Sequence, residues 1–197
     1  MSTTATQRRA VFLDRDGVLI VDRSPLLKAE QIELLPGVVE ALCKLRAANF
    51  ALVVVTNQTV VARGWASEAE VQHLQDTVAD RIVAAGGPAL DGMYFCPHHP
   101  HADLPAYRQV CQCRKPRPGM LLRAAAELEI DLRRSFMVGD RITDIVAGAR
   151  ADCRTVQVTT GYHDAPPIVT VDPLDPNIMP EHRCSSLAAA SDWICVR

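Results

Sequence analysis

Short apolar runs alternate with amphipathic segments along this chain. The run at 50–55 is unbroken and rich in valine, as is typical of a strand buried on both faces of a sheet. Strands that alternate with helical patterns predict an α/β fold, in which a parallel sheet is flanked by helices. Five strands are predicted, at 10–13, 50–55, 91–96, 135–138 and 154–158.

The helices are predicted from apolar periodicity and from capping residues. Val38 begins a helical pattern that Asn49 closes. Ser67 and Glu70 form a capping-box signature, which opens a second helix that the glycines at 86 and 87 end. Further helices are predicted at 120–128, 142–150 and 185–193.

Two long segments lack a periodic pattern. The first, 97–118, is rich in proline, histidine and cysteine, and an irregular segment of this length needs some other source of order. The second, 161–180, contains five prolines and predicts an extended excursion over the surface. Because 197 residues fit one domain with a sizeable core, we expect both segments to belong to a single domain spanning 1–197.

Composition and charge argue against several kinds of partner. Hydrophobic residues make up 48% of the chain and the net charge is -2, so no basic field attracts nucleic acid. The N-terminal segment 1–9 lacks the apolar core of a secretion signal, and no stretch approaches the length of a membrane span. We therefore expect a cytoplasmic protein with neither nucleic acid nor a membrane as partner.

Carboxylates, a hydroxyl and a lysine define the candidate chemistry. Asp14 and Asp16 come directly after the first strand, where residues two apart point the same way. Thr56 follows the second strand, Lys115 lies in the irregular segment, and Asp140 follows the fourth strand. Because the carboxyl ends of parallel strands form one crevice, we expect these side chains to meet there. Such a set suits an aspartate that attacks a phosphate ester beside a divalent cation.

Each of these residues also has a simpler interpretation. Thr56 could cap a helix, Lys115 could be a solvated charge, and Asp140 could cap the helix that begins near residue 142. Each of these explanations is adequate for its own residue. They do not explain why a carboxylate pair, a hydroxyl, a lysine and a carboxylate follow one another along alternating strands.

A cluster of cysteines and histidines suggests a structural metal in the segment 96–113. Its spacing is C-x-H, twelve residues, then C-x-C. Three thiolates and one imidazole form a tetrahedral zinc set with no open position, and zinc would supply the order that this loop lacks. The predicted ligands are Cys96, His98, Cys111 and Cys113.

Two alternatives bear on this zinc loop. His99 or His101 could replace His98 as the imidazole ligand. A disulfide between Cys111 and Cys113 is the other possibility, but seven cysteines in a chain without a secretion signal argue against disulfides.

At these residues the chain resembles the haloacid dehalogenase (HAD) superfamily of phosphatases. The matching features are D-x-D after a strand, a strand-terminal threonine, a lysine, and an acidic cluster at Asp140 and Asp144. The resemblance implies a Rossmann-like HAD fold. It also implies that Asp14 is the nucleophile that becomes phosphorylated, and that Asp16 is the general acid and base.

The same resemblance implies the ligands of the cofactor. Mg²⁺ would be held by Asp14, by the backbone carbonyl of Asp16 and by Asp140, which suits a hard cation. Thr56 and Lys115 would bind the phosphoryl oxygens.

Together with the zinc loop, several longer motifs narrow the resemblance to the heptose bisphosphate phosphatases. These motifs are FLDRDG, ALVVVTNQ, CPHHP and CQCRKPRPGML. The resemblance implies that there is no cap domain, which suggests a monomer. It also implies a small phosphorylated sugar as the substrate, namely a heptose 1,7-bisphosphate that loses its 7-phosphate. The substrate contacts that the resemblance implies are Asp22, Arg23, Ser24, Pro25, Asn57, Gln58, Thr59, Arg114 and Arg141.

The chain departs from the pattern of this branch near the candidate site. Thr59 and Val60 stand where the branch has Ser-Gly, so the loop cannot use the conformational freedom of glycine. Arg141 replaces a common lysine, although a guanidinium can hold a phosphate in bidentate fashion. Both differences bear on the choice of substrate rather than on the reaction.

Four other functions share some of these sequence features. Histidinol phosphate phosphatases form a neighbouring branch, but their substrate amine calls for acidic groups, whereas Arg114 and Arg141 are cationic. A receiver domain also combines acidic residues with Thr and Lys, but it does not usually place D-x-D-G after its first strand. A zinc-stabilised nucleic-acid-binding module, or a nucleic-acid 3′-phosphatase, calls for a basic face with aromatic residues, which make up only 5% of this chain.

Overall fold

The computed structural model describes residues 7–162 and 174–197, and its central feature is a parallel sheet. The strands are β1 (Ala10–Leu13), β2 (Ala51–Asn57), β3 (Gly92–Cys96), β4 (Phe136–Gly139), β5 (Arg154–Val158) and β6 (His182–Cys184). They lie in the order β3-β2-β1-β4-β5-β6, and each neighbouring pair is parallel. The predicted α/β fold with a parallel sheet is therefore confirmed.

Helices cover both faces of this sheet. They are α1 (Val38–Ala47), α2 (Glu68–Ala84), α3 (Gly119–Leu128), α4 (Ile142–Arg150) and α5 (Leu187–Ile194). Buried side chains of α1, α2 and α5 pack in one core cluster, and those of α3 and α4 pack in a second. The sheet thus lies in the middle of a three-layer arrangement.

The two core clusters explain why the strand sequences are unbroken apolar runs. Along β1, Val11 and Leu13 belong to the cluster with α1, whereas Phe12 belongs to the cluster with α3. Successive side chains of a strand point to opposite faces, so a strand covered on both faces has no position for a polar residue. All four residues of β1 are fully buried.

The strand order places a crevice above the centre of the sheet. The chain builds outward from β1 to β3 and then returns to place β4 beside β1, so the direction of winding changes between β1 and β4. In open α/β sheets, ligands bind at the carboxyl ends of the strands at such a switch point. Asp14 and Asp140 directly follow these two strands.

One strand was not predicted from the sequence. β6 is only three residues long, His-Arg-Cys, and it forms the sheet edge beside β5. Such a short and partly polar segment carries no strand pattern. A tertiary contact fixes it instead: the His182 ring stacks on Trp193 of α5, with centroids 4.6 Å apart. The predicted proline-rich excursion spans 161–180. Its residues 163–173 lie outside the part of the chain that the structure describes.

Other predicted boundaries agree with the structure to within about two residues, the usual uncertainty of helix ends. Asn49, predicted to close α1, has a left-handed backbone with φ of 62°. Ser67 accepts a hydrogen bond from the Glu70 amide at the start of α2, as the capping box predicts. A single domain over 1–197 and the lack of a cap domain stay predictions.

No helix within 7–162 or 174–197 combines the length and apolar character needed to cross a bilayer.

Two valines on α2 provide a test of the core. Val78 is fully buried, whereas Val83 on the same helix is 51% exposed. Val78→Ala should lower the free energy of unfolding by about 2 kcal/mol, because it removes buried methyl groups and leaves a cavity. Val83→Ala should change it by less than about 0.5 kcal/mol. Urea unfolding of both variants measures the difference, and equal losses would contradict this placement of α2.

Candidate active site

Three buried carboxylates meet at the carboxyl ends of the central strands. Asp14 follows β1, Asp140 follows β4, and Asp144 lies in the first turn of α4. One ligand oxygen from each lies within 4.8 Å of the others. The Asp14 amide donates to the Val138 carbonyl at 3.0 Å, which fixes the end of β1 beside the end of β4.

Lys115 neutralises part of this charge. Its Nζ lies 2.9 Å from Asp14 Oδ1 and 2.7 Å from Asp144 Oδ1, and it donates to the Val55 carbonyl at 2.7 Å. Burial lowers the pKa of Lys115, but the two carboxylates outweigh burial and raise that pKa to about 12. The side chain is 3% exposed, so Lys115 is not a solvated surface charge.

Asn57 places Lys115 by holding its backbone. The Asn57 side-chain amide donates to the Lys115 carbonyl at 3.1 Å and accepts from the Lys115 amide at 3.1 Å. Asn57 is the last residue of β2, so this pair of bonds joins the irregular segment to the sheet. The side chain of Asn57 is therefore used to position the lysine.

Asp140 lies in a cradle that glycine makes possible. Its Oδ2 accepts from the Tyr162 amide at 2.7 Å, whereas its buried Oδ1 has no hydrogen-bond partner among the described residues. A Cβ atom at Gly161 would lie 2.2 Å from Asp140 Oδ2, so only glycine allows this approach. Burial, followed by the charges of Asp144 and Asp14, raises the pKa of Asp140 to about 8.

The capping roles considered for these residues are not observed. Asp144, rather than Asp140, caps α4, because Asp144 Oδ2 accepts from the Arg141 amide at 2.9 Å. Thr56 lies within β2 and is 1% exposed, so it caps no helix.

The carboxylate cluster fits a hard divalent cation. Three carboxylates face one ammonium, and the unpartnered Oδ1 of Asp140 is a buried acceptor without a donor. Oxygen ligands of this kind, with one or two carboxylates, are those that Mg²⁺ uses beside a phosphate. Asp14 and Asp140 could hold such an ion.

Asp16 belongs to a separate hydrogen-bonded network. Arg15 Nη2 donates to both carboxylate oxygens of Asp16, at 3.1 and 2.9 Å, and to Gln58 Oε1 at 2.9 Å. Gln58 Nε2 donates to Asp16 Oδ2 at 3.0 Å and to Thr56 Oγ1 at 2.9 Å. Burial raises the pKa of Asp16, and the Arg15 charge opposes that shift.

The predicted zinc ligands form a compact cluster. Cys113 Sγ lies 3.1 Å from Cys96 Sγ, 3.2 Å from Cys111 Sγ and 3.4 Å from His98 Nδ1. Tetrahedral zinc with Zn–S bonds of about 2.3 Å separates its sulfurs by about 3.8 Å, so a modest expansion would admit the ion. The Cys111–Cys113 separation is too long for a disulfide, whose S–S bond is about 2.05 Å.

His98, rather than a neighbouring histidine, completes this cluster. His99 Nδ1 accepts instead from the His101 amide at 3.1 Å. His99 is buried, and burial together with the positive charges of Arg114 and Arg63 lowers its pKa.

The predicted substrate contacts fall into two groups. Asp22 Oδ2 lies 3.5 Å from Arg141 Nη2, which joins these two residues beside Asp140. Arg114 donates to the His98 carbonyl at 3.1 Å, and burial lowers its pKa. By contrast, Arg23 is exposed and pairs with Glu33, Ser24 and Pro25 are also exposed, and Thr59 is half-buried.

Known proteins resemble this chain over most of its length. A family model described as HAD-hyrolase-like matches residues 112–190. The D-glycero-beta-D-manno-heptose-1,7-bisphosphate 7-phosphatase of Escherichia coli K12 is 46% identical over 157 residues, which are 77% of this chain and 80% of the relative. The chain belongs to the heptose bisphosphate phosphatase family of HAD-like hydrolases.

Solved structures agree with this family. The D,D-heptose 1,7-bisphosphate phosphatase of B. bronchiseptica, complexed with magnesium and phosphate, is 31% identical with a TM-score of 0.77, over 94% of this chain and 97% of that one. A HAD-like phosphatase from Mesorhizobium loti is 30% identical with a TM-score of 0.79, over 96% and 88%.

Two residues of this HAD-like site were not identified from the sequence. Arg15 is 1% exposed and pairs with Asp16. The sequence feature that could have identified it is an arginine that stands between two aspartates directly after a buried strand. Tyr162 contacts Asp140 through its amide, and its ring lies 5.0 Å from the Arg141 guanidinium carbon. Tyr162 lies at the start of the proline-rich segment, where no local pattern indicates a role.

Metal analysis tests the zinc cluster. The purified protein should contain about one zinc per chain, since three thiolates and an imidazole close a structural site. Cys113→Ser should lower the zinc content and the thermal stability, because it removes the sulfur that contacts all three other ligands. Cys43→Ser is the matched control, because Cys43 is an exposed free thiol outside the cluster. A fully folded Cys113→Ser protein that keeps its zinc would refute the assignment.

Proposed function

We propose that this protein is a Mg²⁺-dependent phosphatase that removes the 7-phosphate from D-glycero-D-manno-heptose 1,7-bisphosphate or a related heptose phosphate. The observation that carries the proposal is the buried triad of Asp14, Lys115 and Asp144 at the switch point of the sheet. The 46% identity to a heptose bisphosphate 7-phosphatase supports the choice of substrate.

Asp14 is suited to act as the nucleophile. Its Oδ1 is held by two donors, the Arg15 amide at 2.8 Å and Lys115 Nζ at 2.9 Å. These two donors fix the direction of the carboxylate, and Lys115 places a positive charge beside the attacking group. Oδ2 is then the oxygen that forms the bond to phosphorus.

The reaction proceeds in two displacements. In the first, the Asp14 oxygen bonds to phosphorus while the P–O bond to the sugar breaks, and Asp16 gives its proton to the leaving sugar oxygen. In the second, water attacks the phosphorus of the aspartyl phosphate and loses a proton to Asp16, while the bond to Asp14 breaks. Inorganic phosphate is released, and both aspartates return to their starting states.

Charge on the transferring group is offset by three contacts. Lys115 and the Thr56 hydroxyl would bind phosphoryl oxygens. Lys115 donates to the carbonyl of Val55, the residue before Thr56, so the two groups lie side by side. Asp14, Asp140 and the backbone carbonyl of Asp16 would hold Mg²⁺. When bound, this ion supplies neutralisation of the phosphoryl charge and so lets the carboxylate of Asp14 approach.

Cationic side chains suit the rest of a bisphosphorylated sugar. Arg141, with Asp22 and Tyr162 on either side, and Arg114, attached to the zinc loop, lie next to catalytic residues in the chain. A guanidinium binds a phosphate through paired hydrogen bonds, which suits the phosphate that is not removed. We further propose that the protein acts on this substrate in the cytoplasm and as a monomer.

Asp14→Asn tests the covalent route. An amide cannot form the acyl phosphate, so release of inorganic phosphate should fall by on the order of 10⁴-fold or more. Circular dichroism and zinc content should stay unchanged. Asp80→Asn is the matched control, because Asp80 is an exposed residue of α2, and it should keep full activity. Normal turnover by Asp14→Asn would rule out the aspartyl phosphate.

A substrate panel tests the specificity. It contains both anomers of heptose 1,7-bisphosphate, histidinol phosphate and a 3′-phosphorylated oligonucleotide. One anomer of the bisphosphate should show a kcat/KM at least about tenfold above the other compounds, or ~1.4 kcal/mol of discrimination. Phosphorus NMR should show the 1-phosphate retained. A preference for histidinol phosphate would replace the proposed substrate by that of the neighbouring branch.

A further inference from the structure

The side-chain amide of Gln58 makes three hydrogen bonds inside the site. Gln58 is 5% exposed, its Oε1 accepts from Arg15, and its Nε2 donates to both Asp16 and Thr56. A guanidinium only donates and a carboxylate only accepts, so this orientation of the amide is dictated by its neighbours. Both N–H bonds of Gln58 are used, which leaves none to contact a substrate.

We propose that Gln58, locked by Arg15, is a positioning residue that sets both the proton-transfer group Asp16 and the phosphoryl-binding group Thr56. This role rests on the proposed phosphatase chemistry and adds to it. Neither Gln58 nor Arg15 touches the reacting atoms in this scheme, and each acts through the side chain that it holds.

The bonds to Asp16 are unequal, which distinguishes its two oxygens. Oδ2 accepts from Arg15 at 2.9 Å and from Gln58 at 3.0 Å, whereas Oδ1 accepts only longer bonds from Arg15, at 3.1 and 3.4 Å. The bond from Gln58 creates that difference, and together with Arg15 it fixes the direction in which the Asp16 carboxylate faces.

The bond to Thr56 acts on the other catalytic group. A hydroxyl donates one hydrogen bond and accepts two. Because Thr56 Oγ1 accepts from Gln58 at 2.9 Å, the nearest amide cannot take the hydroxyl proton. That proton stays available for a phosphoryl oxygen, and one amide group thus orients both residues.

A purely structural role predicts a different kinetic result. If Gln58 only filled space, its loss would change the rate for all substrates alike. A general acid matters most when the leaving group is basic: a sugar alkoxide needs the proton, whereas p-nitrophenolate leaves without one. Dependence on the leaving group therefore separates positioning of Asp16 from packing.

Gln58→Leu tests the proposal, because leucine keeps the volume and removes every hydrogen bond of the amide. With heptose 1,7-bisphosphate, kcat/KM should fall by on the order of 10²-fold, because kcat/KM reports the first displacement, in which the sugar oxygen needs the proton. With p-nitrophenyl phosphate, which still requires Thr56 but not the proton, kcat/KM should fall by less than about tenfold. Hydrolysis of the aspartyl phosphate is common to both substrates and does not enter this comparison. Steady-state kinetics of purified, zinc-loaded enzyme measures both.

Gln75→Leu is the matched control. Gln75 is also fully buried, its amide atoms have no hydrogen-bond partner among the described residues, and it lies on α2. It should keep the wild-type rate with both substrates. If Gln58→Leu does not fold, Gln58→Glu keeps the acceptor for Arg15 but loses the N–H bonds, and it should show the same selective loss.

The outcomes separate this inference from the proposed function. Equal losses with the two substrates, or no loss with either, would overturn the role of Gln58. A wild-type enzyme that hydrolyses p-nitrophenyl phosphate but not heptose bisphosphate would overturn the proposed substrate alone. The comparison would then be made with histidinol phosphate, whose leaving group is also an alcohol.

Discussion

The ion pairs of Lys115 are the interaction on which the site depends. A buried ammonium is stable only when nearby charges and acceptors compensate it. Lys115 finds them at the end of β1, on β2 and on α4, through Asp14, Val55 and Asp144. Removing one partner from a buried pair costs about 3–5 kcal/mol, because the other charge is left uncompensated. The contacts that place Lys115 beside Asp14 thus also hold three elements of the fold at one point.

This lysine comes from a segment without regular structure, so its position needs separate support. The zinc loop supplies one fixed point, because Cys113 precedes Lys115 by two residues and Arg114 binds the loop at the His98 carbonyl. Asn57 supplies the other by holding the Lys115 backbone at the end of β2. Order in the metal cluster and order in the carboxylate cluster are therefore physically linked.

The departures from the family pattern have local explanations. Val60, which stands where the resemblance implies a glycine, is 6% exposed and packs with Val61 and Val71, and its φ is not positive. The loop therefore needs no glycine at this position, and the valine adds to a small apolar cluster. Arg141, where lysine is common, lies between Asp22 and the ring of Tyr162, a flat environment that suits a guanidinium better than an ammonium.

Local sequence signals were enough to predict the secondary-structure elements and the residues of both clusters. Unbroken apolar runs and capping residues are local signals, and they predicted five of the strands and the helices between them. The spacing of Cys96, His98, Cys111 and Cys113 likewise predicted one metal cluster. The contacts between groups that are distant in the chain could be read from the folded structure alone. The edge strand β6, the burial of Arg15 against Asp16 and the direction of the Gln58 amide depend on partners far away in the chain, and no local pattern records such a contact.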